Sequence, residues 1–160
     1  MPRHVFFELG ADRRRQVHLS LCEDALPTWI GFARGNPAPL RYRDSVVGMW
    51  HHVDVELPVH ALRAARAGVD LTDVSSRYLE PMAALQDDDV AFPDPVEFAY
   101  YAIYNCFRKY VHGDDIPDWL IVNQALSVHG HSEVVPRLAR AIDETSSIRS
   151  GDGENSGSKG

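Results

Sequence analysis

Little in this sequence would carry the chain through a membrane or lock it covalently. No apolar run approaches the roughly 18 to 20 residues that a bilayer-spanning helix needs. The leading MPRHVFFELG is too short in its apolar part for a secretory signal, so cytoplasmic residence is expected. Cysteine is confined to Cys22 and Cys106. Each sits in an apolar helical pattern and reads as a small buried hydrophobe, with a disulfide disfavoured in a reducing compartment. The glycines are scattered singly, so no phosphate-cradling loop is present. There is no Gly-x-Ser-x-Gly elbow, no His-Glu-x-x-His pair, no metal-spaced cysteine pair and no basic stripe with interleaved aromatics. These absences argue against the commonest nucleotide-binding, nucleic-acid-binding and nucleophilic readings. No internal repeat is visible.

What is present fits one soluble globular domain. A chain of 160 residues, 44% apolar and 24% charged, can bury a core of its own. Residues 1–80 hold ten basic and ten acidic side chains, whereas residues 81–160 hold six and thirteen, which accounts for the net charge of −7. Such a surface repels nucleic acid and attracts basic partners.

Asp94 to Ser127 carries most of the fold information. Val96, Tyr100, Ile103, Phe107 and Tyr110 recur at spacings of four and three, the signature of one helix face. Asp94 suits the N-cap, Pro95 the first helical position, and Gly113 a left-handed stop. A second helix restarts at once, with Asp115 as cap, Pro117 in its first turn and Ile116, Trp119, Leu120 and Leu126 as its apolar side. So short a link predicts antiparallel neighbours.

The rest reads mainly as helix. His4 to Leu9 is an edge strand or the lead-in to a helix. Ala11 to Cys22 is helical, with Arg13, Arg14 and Arg15 as a basic cluster near its start, an unfavourable end for cations; it reads as a solvated face, with contact to an anion or a neighbouring acidic segment as the alternative. Pro27 interrupts the periodicity and opens a short helix over residues 28–33. Gly35 to Pro39 is a loop. For residues 44–57 a helix from Asp44 through Val46, Val47 and Trp50 is favoured over a strand at Val53 to Leu57. Val59 to Ala67 is a helix stopped by Gly68. Asp70 to Leu85 carries another, bent at Pro81. Gln86 to Pro95 is an acidic loop. Ser132 caps a last helix over Glu133 to Ile142, and residues 146–160 form a polar, disordered tail. The expectation is a compact, bundle-like, mainly α domain over residues 1–145 with about six or seven helices, admitting a small β element near residues 4–9 and 50–57.

Three groups of residues are candidates for function. His52, Asp54, Glu56 and His60 form a weak metal or acid–base cluster: Glu56 and His60 are four apart, but Pro58 lies between them. On the long helix Glu97, Tyr101, Asn105, Arg108 and His112 make a polar stripe. An Arg and a His on one helix resemble the helical ribonuclease-type domains, yet Arg108 and His112 are closer than that pattern requires, so no activity is carried over. The third group is acidic and aromatic: Asp87, Asp88, Asp89, Asp114, Asp115 and Asp118 with Tyr78, Tyr101, Tyr104 and Trp119. Aromatic anchors among acids suit a basic protein partner. The leading expectation is a non-catalytic cytoplasmic binding protein, needing no cofactor, that neutralises or regulates a basic partner. Acidic bacterial immunity proteins, which block toxins, share this size and charge. The alternatives are an enzyme using the His51 to His60 cluster and a structural helical oligomer.

Overall fold

The computed structural model describes residues 2–35, 41–43, 46–52, 54, 56–68, 81–83 and 92–147. They form a compact helical domain built on two crossing helices. α1 spans Pro2–Phe7 and α2 spans Ala11–Gly35. The strands β1, Arg41–Arg43, and β2, Trp50–His52, precede α3, Leu57–Ala67. α4 covers Asp94–Phe107 and runs into a π-helical turn at Arg108–His112. α5, Asp118–Leu126, and α6, Val134–Glu144, complete the domain, with a 3-10 turn at His131–Glu133 ahead of α6. No helix among the described residues is long and apolar enough to cross a membrane.

α4 is the axis of the core. Its expected face is buried through Val96, Tyr100, Ile103 and Phe107, but so are Ala99, Ala102, Tyr104 and Cys106. A helix apolar almost all round belongs in the interior, and α4 packs against α2, α3 and α5. Small residues at Ala99 and Ala102 let its neighbours approach. α2 crosses it through His18, Leu21, Cys22, Ala25, Trp29 and Ala33, all buried at helical spacing. Cys22 and Cys106 are free and buried at this crossing. A hydrogen bond from the Cys22 thiol to the Cys106 side chain, together with burial, pushes the Cys22 thiol up.

Pro27 lies inside α2, which is one helix of 25 residues rather than two. Proline deprives the Glu23 carbonyl of its helical donor. The cost is outweighed downstream by burial of Trp29, whose ring meets Tyr100 at 5.0 Å and Phe92 at 5.6 Å. Splitting the helix would pull that ring from the core.

Other boundaries also move. His4 to Leu9 yields no strand; α1 is a helix, and its Phe6 is fully buried beside His18 and Trp119. The favoured helix does not form over the described residues 46–52; Asp44 lies outside them. β1 and β2 pair antiparallel, with Arg41 opposite His52 and Arg43 opposite Trp50. Gly48, at φ 76°, and the Arg43 Nε–H donated to its carbonyl at 3.0 Å close the connection. α3 ends as read, on left-handed Gly68. Pro93 and Pro117, not Asp94 and Asp115, stand at the N-caps of α4 and α5. Proline there fixes the entry dihedral, and each aspartate is left off the cap. The expected helix at residues 70–85, apart from 81–83, the Asp-rich loop and the polar tail from residue 148 lie outside the described residues.

Truncating Trp29→Ala is expected to cost about 3–5 kcal/mol, measured by urea denaturation. A loss below about 1 kcal/mol would mean that the segment after Pro27 is not anchored to α4.

Candidate functional site

The end of α4 is where charged side chains converge. A π-helical turn widens the backbone and shifts side-chain register, and such turns recur at functional positions. Here Gly113, at φ 86°, closes it, and the Gly113 and Asp114 amides both donate to the Arg108 carbonyl. Asp114 then receives Arg108 Nε at 2.8 Å and pairs with His112 Nδ1 at 2.9 Å. The Arg108 hydrogen bond, and after it that of His112, holds the Asp114 carboxyl below its usual range.

Next to it, Lys109 Nζ lies 3.0 Å from Asp118 Oδ1 and donates to the Ile116 carbonyl at 2.9 Å. Arg14 of α2 reaches the other carboxylate oxygen, Oδ2, at 3.0 Å, and also donates to the Phe7 carbonyl at 2.6 Å. Burial alone would raise the Asp118 carboxyl. Hydrogen bonds from Lys109 and Arg14 overcome that and lower it.

Below this pair lies His18, with no exposed surface. Its Nε2 is 2.8 Å from the Asp118 carbonyl and its Nδ1 2.6 Å from the Tyr110 hydroxyl. A carbonyl can only accept, so Nε2 carries the hydrogen, and Nδ1 of the neutral ring accepts from Tyr110. Burial, opposed by the Asp118 carbonyl, lowers the His18 pKa to about 4. Burial also raises the Tyr110 hydroxyl. The ring is therefore a neutral tie between α2, the π-helical turn and α5.

Arg13 to Arg15 are not a solvated face. Arg13 Nε donates to Thr145 Oγ1 at 2.9 Å beyond α6. Arg15 donates to the Ala65 carbonyl and, at 3.0 Å, to that of Arg66, at the C-terminal end of α3. Backbone carbonyls there carry the helix's partial negative charge. Three consecutive arginines thus serve three different elements.

The acidic and aromatic candidates do not form one patch. Asp94 opens α4, and Asp114, Asp115 and Asp118 follow its other end, about 20 Å or more away at 1.5 Å per residue. Tyr104 is 8% exposed and belongs to the core. Trp119 is half-buried, with Arg3 stacked on it at 4.7 Å. Asp114 and Asp118 are ion-paired internally, while Asp115 is exposed. Asp87, Asp88, Asp89 and Tyr78 lie outside the described residues. One group does share a face: Asp94, Glu97, Phe98 and Tyr101, at i, i+3, i+4 and i+7 on α4, are all half-buried or exposed, with Phe98 at 36%. The sequence does not mark Phe98, because the apolar periodicity of α4 points to the opposite face.

The C-terminal part of the polar stripe is satisfied within the protein. Asn105 donates to Gln124 Oε1 of α5 at 2.9 Å, and Arg108 and His112 meet Asp114. The metal cluster does not assemble. Glu56 turns to Arg34 at 3.4 Å, His52 ends β2, and Asp54 faces His60 at 3.7 Å. Asp54 Oδ1 accepts the Glu56 amide at 2.9 Å, a turn that delivers Pro58 to the start of α3 and leaves Glu56 ahead of the face that holds His60. Among the described residues no three His, Cys, Asp or Glu are placed to share a metal ion.

A second exposed feature is apolar. Val46, Val47, Met49 and Trp50 are exposed, Val46 at 86% and Trp50 at 55%. Arg41 lies over the Trp50 ring at 5.3 Å. Comparison with protein families, curated proteins and solved structures finds no match to this chain.

His18 gives a pH signature with a definite sign. Its unfolded pKa of 6.5 exceeds the folded value of about 4, so below pH 6.5 the unfolded chain takes up a proton that the folded chain refuses. Stability is full above pH 6.5 and falls as pH drops toward 4, by about 3 kcal/mol in all. The losses from Asp114 and Asp118 come lower, below 3.8. His18→Gln is expected to flatten the urea midpoint between pH 6.5 and 4; an unchanged slope would show that another group is responsible.

Proposed function

We propose that the chain is a non-catalytic, cytoplasmic binding protein that covers a basic surface of a protein partner. In general character this is the role of the small acidic immunity proteins of bacteria. The observation that carries the reading is the stripe Asp94, Glu97, Phe98 and Tyr101 on the outer face of α4. An exposed aromatic between carboxylates offers an anchor that a partner can desolvate, and charge that steers its approach.

The distribution of counter-charges supports it. Residues 81–118 contain eight acids and only Arg108 and Lys109 as bases. Arg108 is committed to Asp114 and Lys109 to Asp118. The surplus therefore falls on the remaining acids, among which Asp94 and Asp115 are exposed. The exposed Val46, Val47, Met49 and Trp50 add apolar surface of the kind that marks interaction sites.

Co-expression with the basic product of an adjacent gene, followed by titration calorimetry at low and high salt, tests the reading. A complex that weakens with salt is expected, losing about tenfold or more in affinity in Glu97→Arg and in Phe98→Ala. Failure of either variant to weaken it would remove the α4 stripe from the interface, and absence of a complex with any such partner would remove the function.

A further inference from the structure

A cavity of about 330 Å³ opens beside the Asp118 ion pairs, lined by Leu9, Ala11, Arg14, Lys109, Tyr110 and Asp118. It belongs neither to the α4 stripe nor to the exposed strand pair. Its charge is opposite to that of the molecule: two cations face one carboxylate, in a chain of net charge −7. Arg15, stacked on the outer ring of Tyr110 at 5.5 Å, adds a third positive charge nearby.

These cations keep donor capacity in reserve. Arg14 spends one hydrogen of Nη1 on Asp118 and one of Nη2 on the Phe7 carbonyl, and each terminal nitrogen carries a second. Lys109 spends two donors, on Asp118 and the Ile116 carbonyl, and an ammonium has three. Asp118 bridges Arg14 and Lys109 through its two oxygens and so brings them to one wall. It acts as a positioning group for the cations as well as a partial neutraliser. At the rim, α2 begins at Ala11, and the first helical bond there runs from the Arg14 amide to the Gly10 carbonyl. The amides of Ala11, Asp12 and Arg13 precede it and have no acceptor within the helix.

The geometry points to this cavity as a binding site for a small phosphorylated molecule, its phosphate between Arg14 and Lys109 and its organic part against Leu9 and Ala11. Two adjacent cations, each with hydrogens to spare, suit a phosphate, with three terminal oxygens and close to two negative charges, better than a carboxylate with two oxygens and one charge. The volume lies at the lower end of the range for small-molecule pockets, more than a bare ion needs. Tyr110 donates to the His18 ring, so its oxygen is left to accept, from a hydroxyl of the ligand. None of this depends on the proposed partner.

The test is titration of the whole protein with inorganic phosphate, glycerol 2-phosphate and acetate, each against chloride at matched ionic strength, read by calorimetry and by thermal midpoint. Saturable binding of glycerol 2-phosphate, tighter than inorganic phosphate and acetate, is expected. Lys109→Gln is expected to weaken it about tenfold or more. Because that variant also loosens Asp118, Ala11→Phe provides the second arm: it fills the cavity from an exposed position and leaves every charge in place. Ala11→Phe should keep its thermal midpoint in chloride and lose the binding. Stabilisation by the monoester no greater than by chloride, tighter binding of acetate, a monoester no tighter than inorganic phosphate, or undiminished binding by Ala11→Phe would each overturn the proposal.

Discussion

Asp118 is the residue on which the arrangement of helices depends. As the first residue of α5 it faces three ways. One carboxylate oxygen takes Arg14 of α2, the other takes Lys109 of the π-helical turn, and the backbone carbonyl takes the buried ring of His18. Its negative charge also sits at the positive end of its own helix. These contacts fix where α5 starts relative to α2 and α4, and they require the widened turn, since Lys109 must turn inward while Arg108 turns to Asp114. The pairs are partly exposed, so their contribution lies less in net energy than in geometry. What cannot be exchanged is the neutrality of His18. A charged imidazole at that depth would face Arg14 and Lys109 with little water to screen it.

Much of the fold is legible because apolar periodicity is strong. The buried faces of α4 and α2, the glycine stops at Gly68 and Gly113, and the close packing of α4 on α5 all follow from spacing and backbone sterics. The misreadings share one cause. A single local rule was not enough in either case: Pro27 reads as a break until the tertiary contacts of Trp29 outweigh it, and Asp94 and Asp115 read as caps until the fixed dihedral of Pro93 and Pro117 takes that place. Trp29 is worth more against Tyr100 than an intact hydrogen bond at Glu23. The strand pair at residues 41–52 is set by Gly48 and the Arg43 loop closure, whereas a helix there would have needed an apolar face that Val46 and Val47, both exposed, do not supply.

The site was less legible. His18 lies on the same face as Leu21, Cys22 and Ala25, so the apolar stripe of α2 predicts its burial, but nothing local names Tyr110 or Asp118 as its partners. Arg13 to Arg15 carry a clear local signal. Cations in the first turn of a helix oppose its dipole, and so a run of three calls for acceptors from elsewhere. Those acceptors are Thr145, Asp118 and the carbonyls ending α3, which lie between 50 and 132 residues away in sequence. Separation of that kind is invisible to pattern reading.

Around the start of α2, charge is partly sorted by depth. The cations that balance the first half of the sequence by count are partly withdrawn into it: Arg13, Arg14 and Arg15 are half-buried and spend their donors on internal acceptors. Carboxylates such as Asp94 and Asp115 remain outside. An overall acidic chain can therefore present an acidic stripe on α4 and a positive cleft at once. The two respond differently to salt. Exposed charges are screened over about 10 Å at 0.1 M ionic strength, whereas charges set into a cleft are screened much less. Recognition at the α4 stripe should therefore fall away as salt rises, while the field inside the cleft persists, set by Arg14 and Lys109 against the single carboxylate of Asp118.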